Sequence, residues 1–567
     1  EYPTANSIAY VNAYAAGVKY LGYFDPLKCY TYNYDSKTDS NTYFSPAAAA
    51  DANYQCASGK NYWSGAFLNW ASMQTIDPFR WALTGGYRVS DTPSLTVLEK
   101  AWASGQGGSG ETPNRSINNS STVSAVTPFS WSKLSVRIYG AGNKMYFTSS
   151  GNLDSDTVNI FNPSATPDSS KIWAVTVRAK VCDPTLGTAL LESNCTQYGA
   201  NYKPEGLMQQ YSQRIRYGAF GYINDSSIMR DGGVLRAKMK FIGPTQPVPG
   251  KLPQTNTLAE WSSTDGTMVV NPNTADATAS GVGNSGVMNY LNKFGSLSQT
   301  YKTYDPVGEL YYAGIRYFKN LGNVAKYSDV THDANGKAVT ASTTATYVDG
   351  FPVIQAWDDP ILYSCQKNYI LGIGDVNTHA DANLPGSSII NSSYEPALAP
   401  EIKSDTTVSV DTATNLVGQM EGINNLNKNS PSWCCGDNNT FLMAGLAYDS
   451  HVNDIRPNDF KDSLGNKSKI QTISTYWLDV QEYQKYYYQN QFWLAAKYGG
   501  FAVSPTYSSK NTAALAQSLW NASGNVDPNG KPMPDNYYLA GQADKMVAGL
   551  TSAFVGISND IQAATTA

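Results

Sequence analysis

The chain has only three histidines, His332, His379 and His451, and one of them stands where chemistry could be done. His379 lies in Asp375-Val-Asn-Thr-His-Ala-Asp381, directly after the apolar run Asn368–Gly374. An imidazole among carboxylates at the end of a strand could serve general acid–base work. Neither a His-Glu-x-x-His helix nor a Gly-x-Ser-x-Gly elbow accompanies it, so the expected role is a surface-loop histidine. His332-Asp333-Ala-Asn335-Gly336 and Asp527-Pro-Asn529-Gly530 are rich in oxygen donors. Both lack the full spacing and late Glu of a calcium loop, which leaves them as turns. Arg230-Asp231-Gly232 is not an integrin motif, since Gly must stand between Arg and Asp. No phosphate-cradling glycine loop falls between a strand and a helix. No carboxylate pair or nucleophile–base pair is visible either, so catalysis is not expected.

Seven cysteines carry a second kind of chemistry. Cys29 and Cys56 flank a polar, Tyr-rich loop, and Cys182 and Cys195 flank another. Two loops closed in this way are expected to be disulfides, and hence to place the chain in an oxidising compartment. Free buried thiols are the alternative. Cys365 stands alone before an apolar run, and Cys434 and Cys435 are adjacent. Cys365 could pair with either, leaving one thiol, or the vicinal pair could close on itself. Zinc is disfavoured, because a second ligand pair is missing.

The elements that must position these groups alternate between helix and strand. Residues 66–76 are apolar at helical spacing, and Asp77-Pro78 restarts a turn that Gly85-Gly86 stop. Residues 204–214 predict a helix running into a strand that ends at Asn224. In 305–321 Asp305 caps, Pro306 opens the first turn, and Leu310, Ala313, Tyr317 and Leu321 share a face before Gly322. Residues 368–374 read as a buried parallel strand. Helices are expected at 441–450, 492–500, 511–520 and 544–557, with a strand at 469–480. Such alternation implies an α/β fold with a mainly parallel sheet.

The expected organisation is a disulfide-closed segment over 1–62 and a discontinuous core at 63–85, 204–225, 300–322, 367–376, 440–457 and 469–557. Segments 86–203 and 226–299 read as β-rich insertions, and 323–366 and 377–439 as long loops. At 567 residues the chain is long enough for several domains or for one with large insertions. Charged residues are 15%, low for a soluble protein, while 40 tyrosines suit an exported chain rich in strands and loops. A net charge of -5 and the lack of any Lys/Arg block exclude a nucleic-acid binder. No apolar run approaches the ~18 residues that span a membrane. Glu1 is expected to begin a mature or trimmed chain. Tyr486, Tyr487, Tyr488 and Trp493 could stack on sugars, but core packing is the stronger expectation.

Two stretches carry a resemblance. Ile470–Val480, Leu494-Ala-Ala496 with Gly499-Gly500, Leu515–Leu519 and the helix at 544–557 resemble the end of a von Willebrand factor A domain. YLGYFDPLKCYTY (20–32), residues 63–101, 230–250, 367–386, LMAGLAYDSHVNDIRP (442–457) and NQFWLAAKYGGF (490–501) resemble the PilY/PilC family. The resemblance implies a von Willebrand A-like, Rossmann-like core with helices on both faces, followed in the family by a β-propeller that this chain does not reach. It implies a type IV pilus tip adhesin that caps the fibre through minor pilins, attaches to a host or abiotic surface, and is exported to the cell surface. Against this stands a secreted carbohydrate-binding or carbohydrate-active protein unrelated to pili.

The A-domain resemblance also implies a calcium or magnesium adhesion site at the carboxyl ends of the strands. Its residues here would be Asp375, Asp305 and Asn377. The sequence departs from the pattern, since no Asp-x-Ser-x-Ser follows an early strand. Where a Thr precedes the helix in the family, this chain has Thr303-Tyr304-Asp305.

Overall fold

The computed structural model describes residues 13–105, 112–150, 153, 160–161, 167–389, 391, 393–431, 436, 438–457, 460–466, 469–481 and 486–566. Aromatic residues build the first core. A six-stranded sheet runs in the order Trp63–Ser64, Lys28–Asn33, Tyr43–Ala49, Arg178–Val181, Leu95–Glu99, Arg88–Thr92. Its pairings are antiparallel except that of Tyr43–Ala49 with Arg178–Val181. A five-stranded sheet of Arg115–Ile117, Leu134–Arg137, Lys144–Thr148, Ile172–Thr176 and Ile160–Phe161 shares the same core. Trp63 meets Phe44 and Phe129 edge-on, with centroids at 5.7 and 5.2 Å, the geometry ring quadrupoles prefer.

The helix Gly65–Ser72 is buried on every side in this core. Asn69 explains why a polar residue is tolerated there. Its amide donates to the Tyr20 and Phe24 carbonyls at 2.8 and 2.7 Å and accepts the Phe24 N–H at 3.1 Å. Gly65 permits the approach, since a Cβ there would lie 2.1 Å from the Asp25 carbonyl oxygen. The sequence blocks 20–32 and 63–72 are therefore two halves of one packing unit.

Parallel pairing is confined mostly to a second, three-stranded sheet. Its helices and strands, in chain order, are α1 (Val307–Lys319), β1 (Asn368–Gly374), α2 (Val410–Glu421), α3 (Leu442–Val452), β2 (Ile473–Asp479), α4 (Gln491–Tyr498), β3 (Tyr537–Leu539) and α5 (Ala543–Thr566). The sheet order is β1-β2-β3, in register from Asn368 opposite Ile473 to Gly374 opposite Asp479. Side chains alternate along β2 as strand geometry requires. Ile473 and Trp477 join the core with α1, α3 and α4, whereas Tyr476 and Leu478 join apolar clusters with α5. A Cβ on Gly372 would fall 2.2 Å from the Trp477 ring, which itself stacks on Phe492 at 4.3 Å.

Several expectations change. The two halves of 63–85 separate: Gly65–Ser72 belongs to the aromatic core, while Phe79, Ala82 and Leu83 of Ile76–Thr84 pack with α5. Only Leu207–Gln210 of the expected 204–214 helix forms, because Asn201–Pro204 is taken by a hairpin with Cys195–Tyr198. Residues 511–520 hold one short 3-10 turn, Gln517–Leu519, and bury only Trp520. A short Ala-rich run without a buried face cannot sustain a helix. The segments expected as long loops contain Ala341–Val348 and α2, and the 226–299 insertion contains Thr274–Ala279 and Val287–Lys293.

Candidate functional site

β1 and β2 end side by side, and each delivers an aspartate: Asp375 follows Gly374, and Asp479 closes β2 opposite it. This is the carboxyl edge where open parallel sheets gather ligands. The chain leaving β1 folds back at once, with Asp375 Oδ1 accepting the Asn377 N–H at 2.8 Å. Thr378 Oγ1 donates to Asp381 Oδ2 at 2.9 Å, and Gln491 of α4 donates to the Val376 carbonyl at 2.7 Å. Asp305, just ahead of α1, accepts the His379 N–H on its carbonyl at 3.1 Å and pairs with His379 Nδ1 at 2.7 Å. Tyr304 meets the imidazole edge-on at 5.2 Å. A Cβ on Gly308 would lie 2.8 Å from the Asp381 carbonyl oxygen, so a bare backbone lets α1 begin here.

The structure thus brings Asp375, Asp305 and Asn377 to one corner. His379 is not the surface-loop residue the sequence suggests. Its side chain is 14% exposed and clamps the β1 exit to α1. Burial, reinforced by the Asp305 charge, pushes the Asp375 carboxyl up to about 7. Burial likewise pushes Asp381 up to about 7 and Asp479 up to about 6, the latter opposed by hydrogen bonds from Tyr537 and Asn490.

Asn377 Oδ1 and Asp381 Oδ1 are buried without a partner, which would suit a hard cation. The ligand shell nevertheless does not close. Among the described residues no three acidic or imidazole ligand atoms in this corner lie within 4.8 Å of one another, and His379 already holds Asp305. The calcium or magnesium set that the resemblance implies therefore does not fit as these residues stand. Among the described residues the one grouping that is tight enough, Cys182, Glu192 and Cys195, offers no thiolate because its cysteines form a disulfide.

Cys29–Cys56 and Cys182–Cys195 are both bonded. Cys365 is exposed and unpaired among the described residues; Cys434 and Cys435 lie outside them. Asp333 and Asp527 each accept backbone N–H groups two and four residues on, at 2.8–2.9 Å, so both oxygen-rich stretches are turns. Trp493 and Tyr486 are buried, and His451 bridges the Ile473 and Phe501 carbonyls inside the core. A second acid group, Asp231, Glu309 and Glu395, escaped sequence reasoning, since no local spacing joins three residues so far apart.

No described helix is long and apolar enough to cross a membrane. A family model described as "PilY1 homolog, small alpha/beta domain" matches residues 11–161, and one described as "PilY1 homolog, second domain" matches 221–446. A type IV pilus biogenesis factor PilY1 homolog of Xylella fastidiosa (strain Temecula1) is 43% identical over 600 residues. That match covers 100% of this chain and 47% of the relative. A second protein of the same description and strain is 25% identical over 442 residues, covering 67% of this chain and 27% of the relative. The chain thus spans about half, or less, of the length of these curated relatives. No solved structure matches.

Proposed function

Because this chain belongs to the PilY1 family, we propose that it forms the outward-facing part of a type IV pilus tip protein, capping the fibre through minor pilins and attaching it to a host or abiotic surface. The observation that carries this reading is the 43% identity across the whole chain to a pilus biogenesis factor. The disulfides Cys29–Cys56 and Cys182–Cys195 suit export into an oxidising compartment. The parallel β1-β2-β3 sheet, with helices on both faces, serves as a von Willebrand A-like scaffold in this reading. In this reading the protein acts by binding rather than catalysis, and the His379–Asp305 pair ties the β1 exit to the start of α1. Trp493 and Tyr486 are buried and unavailable for sugar stacking, whereas Tyr488 is 37% exposed. Purified chain added to piliated cells tests the reading by competition. Attachment should fall with dose, and attachment unaffected at saturating protein would refute it.

A further inference from the structure

Asp231, Glu309 and Glu395 meet in the interior from three parts of the fold. Asp231 precedes the strand Val234–Lys240, Glu309 sits in the first turn of α1, and Glu395 lies in the segment after β1. Glu309 and Glu395 are 0% and 3% exposed. Asn383 stitches the group together. Its N–H donates to Glu309 Oε1 and its side-chain amide to Asp231 Oδ2, both at 2.7 Å. Glu395 Oε1 accepts the Ala382 N–H at 3.0 Å and the Asn438 amide at 2.6 Å.

Each carboxyl thus uses one oxygen. The others, Asp231 Oδ1, Glu309 Oε2 and Glu395 Oε2, are buried without a hydrogen-bond partner. So is the hydroxyl of Tyr327, whose ring packs against Gly232 beside Asp231. The nearby cations have other anchors. Arg230 is paired to Asp225 at 2.8 Å, Lys302 donates to the Asp225 and Ser227 carbonyls, and Lys326 reaches the Ala397 carbonyl at 3.4 Å. Asp381 adds another acid, and Arg316, which acts on Tyr327, is itself held by the Tyr312 hydroxyl and the Leu321 and Gly322 carbonyls.

Three carboxylates in one dry pocket cannot all be ionised. A cation could neutralise them, but opposed oxygens on one calcium stand about 4.8 Å apart. No three acidic ligand atoms here lie within 4.8 Å of one another, so a single ion cannot take all three. Protons can.

We propose that Asp231, Glu309 and Glu395 form a proton-operated clasp, which holds the segment after β1 against α1 and the Asp225–Gly233 loop while the carboxyls are neutral and releases it when they ionise. Burial pushes Asp231 up to about 7 and Glu395 up to about 8, and burial with the charges of Asp231 and Glu395 holds Glu309 well above the usual carboxylate range. Because these folded values exceed the ordinary ones, the closed form binds more protons than the open one. Its stability is full in acid and falls as pH rises through the folded values. The clasp rests on this geometry alone and does not require action at a pilus tip.

Hydrogen exchange at the Ala382 and Asn383 amides, corrected for intrinsic rates, tests it across about pH 4 to about pH 8, from the ordinary carboxyl values up to the raised ones of Asp231 and Glu395. In the native chain protection should fall about tenfold per pH unit for each carboxyl that ionises. Asp231→Asn with Glu395→Gln should flatten that slope. Should the pair fail to fold, Glu309→Gln alone should remove about one proton's worth of slope. A native slope near zero, or a variant as steep as the native chain, would overturn the clasp. Stoichiometric binding of calcium or magnesium that restores protection at the upper pH would replace it with an ion site.

Discussion

Severing the Cys29–Cys56 bond should loosen the aromatic unit by a calculable amount. The two cysteines are 27 residues apart in sequence and join the Lys28–Asn33 strand to the turn ahead of Trp63. In the chain-entropy picture a loop of that length restricts the unfolded chain by about 3.5 kcal/mol. The Cys182–Cys195 loop, 13 residues, gives about 2.9 kcal/mol by the same relation. The two should therefore differ by only about 0.6 kcal/mol, however different the loops look. Cys29→Ala with Cys56→Ala should speed hydrogen exchange of the most protected amides in Lys28–Asn33 and Tyr43–Ala49 by about 300-fold. Reducing the native chain, which also opens Cys182–Cys195, should speed exchange at least as much without the voids that the variant leaves at two buried positions. A change under about tenfold in both would refute the reasoning, since the unfolded chain would then not be limited by that loop.

Lys497 and Glu421 form a buried ion pair at 2.5 Å, 7% and 5% exposed, with the ammonium over the Trp520 ring at 4.0 Å. Lys497→Met should cost about 3–5 kcal/mol in denaturant unfolding by stranding the carboxylate, and adding Glu421→Gln should recover most of it. Burial holds Asp479 up to about 6, above its ordinary 3.8, so its share of stability is present in acid and lost as pH rises through that window. Asp479→Asn should therefore make the fall in melting temperature between about pH 4 and about pH 6 shallower, and an unchanged slope would contradict the assignment.

Local signals were legible where a residue pattern and its physical partner lie close in sequence. α1 and β1 form where the apolar spacing and the apolar run place them. Leu310, however, is only part-buried and Leu321 exposed, and the Asp305 carboxyl pairs with His379 instead of capping α1. β1 is an edge strand buried only at Asn368. α2 falls in a segment expected as loop, although it carries helical signals of its own. Ser409 caps Thr412, and Val410, Ala413, Val417 and Met420 make its buried stripe, yet it lies inside a polar stretch. The fate of Gly65–Ser72 was not legible, because its core partners reach as far as Phe147 and Trp173 in sequence. At the site, Asp375 could be placed from the strand that carries it. Its coupling to His379 and Asp305 depends on the chain turning back across α1, which no spacing in 375–381 specifies. The Asp231–Glu309–Glu395 group is tertiary in origin, assembled by Asn383 alone between two of its members.

The most direct test of the account is where this region sits on a pilus. Gold-labelled antibody raised against the purified chain, applied to intact piliated cells and viewed by electron microscopy, should mark the free ends of the fibres. Label spread along the shafts, or absent from pili altogether, would contradict a tip protein.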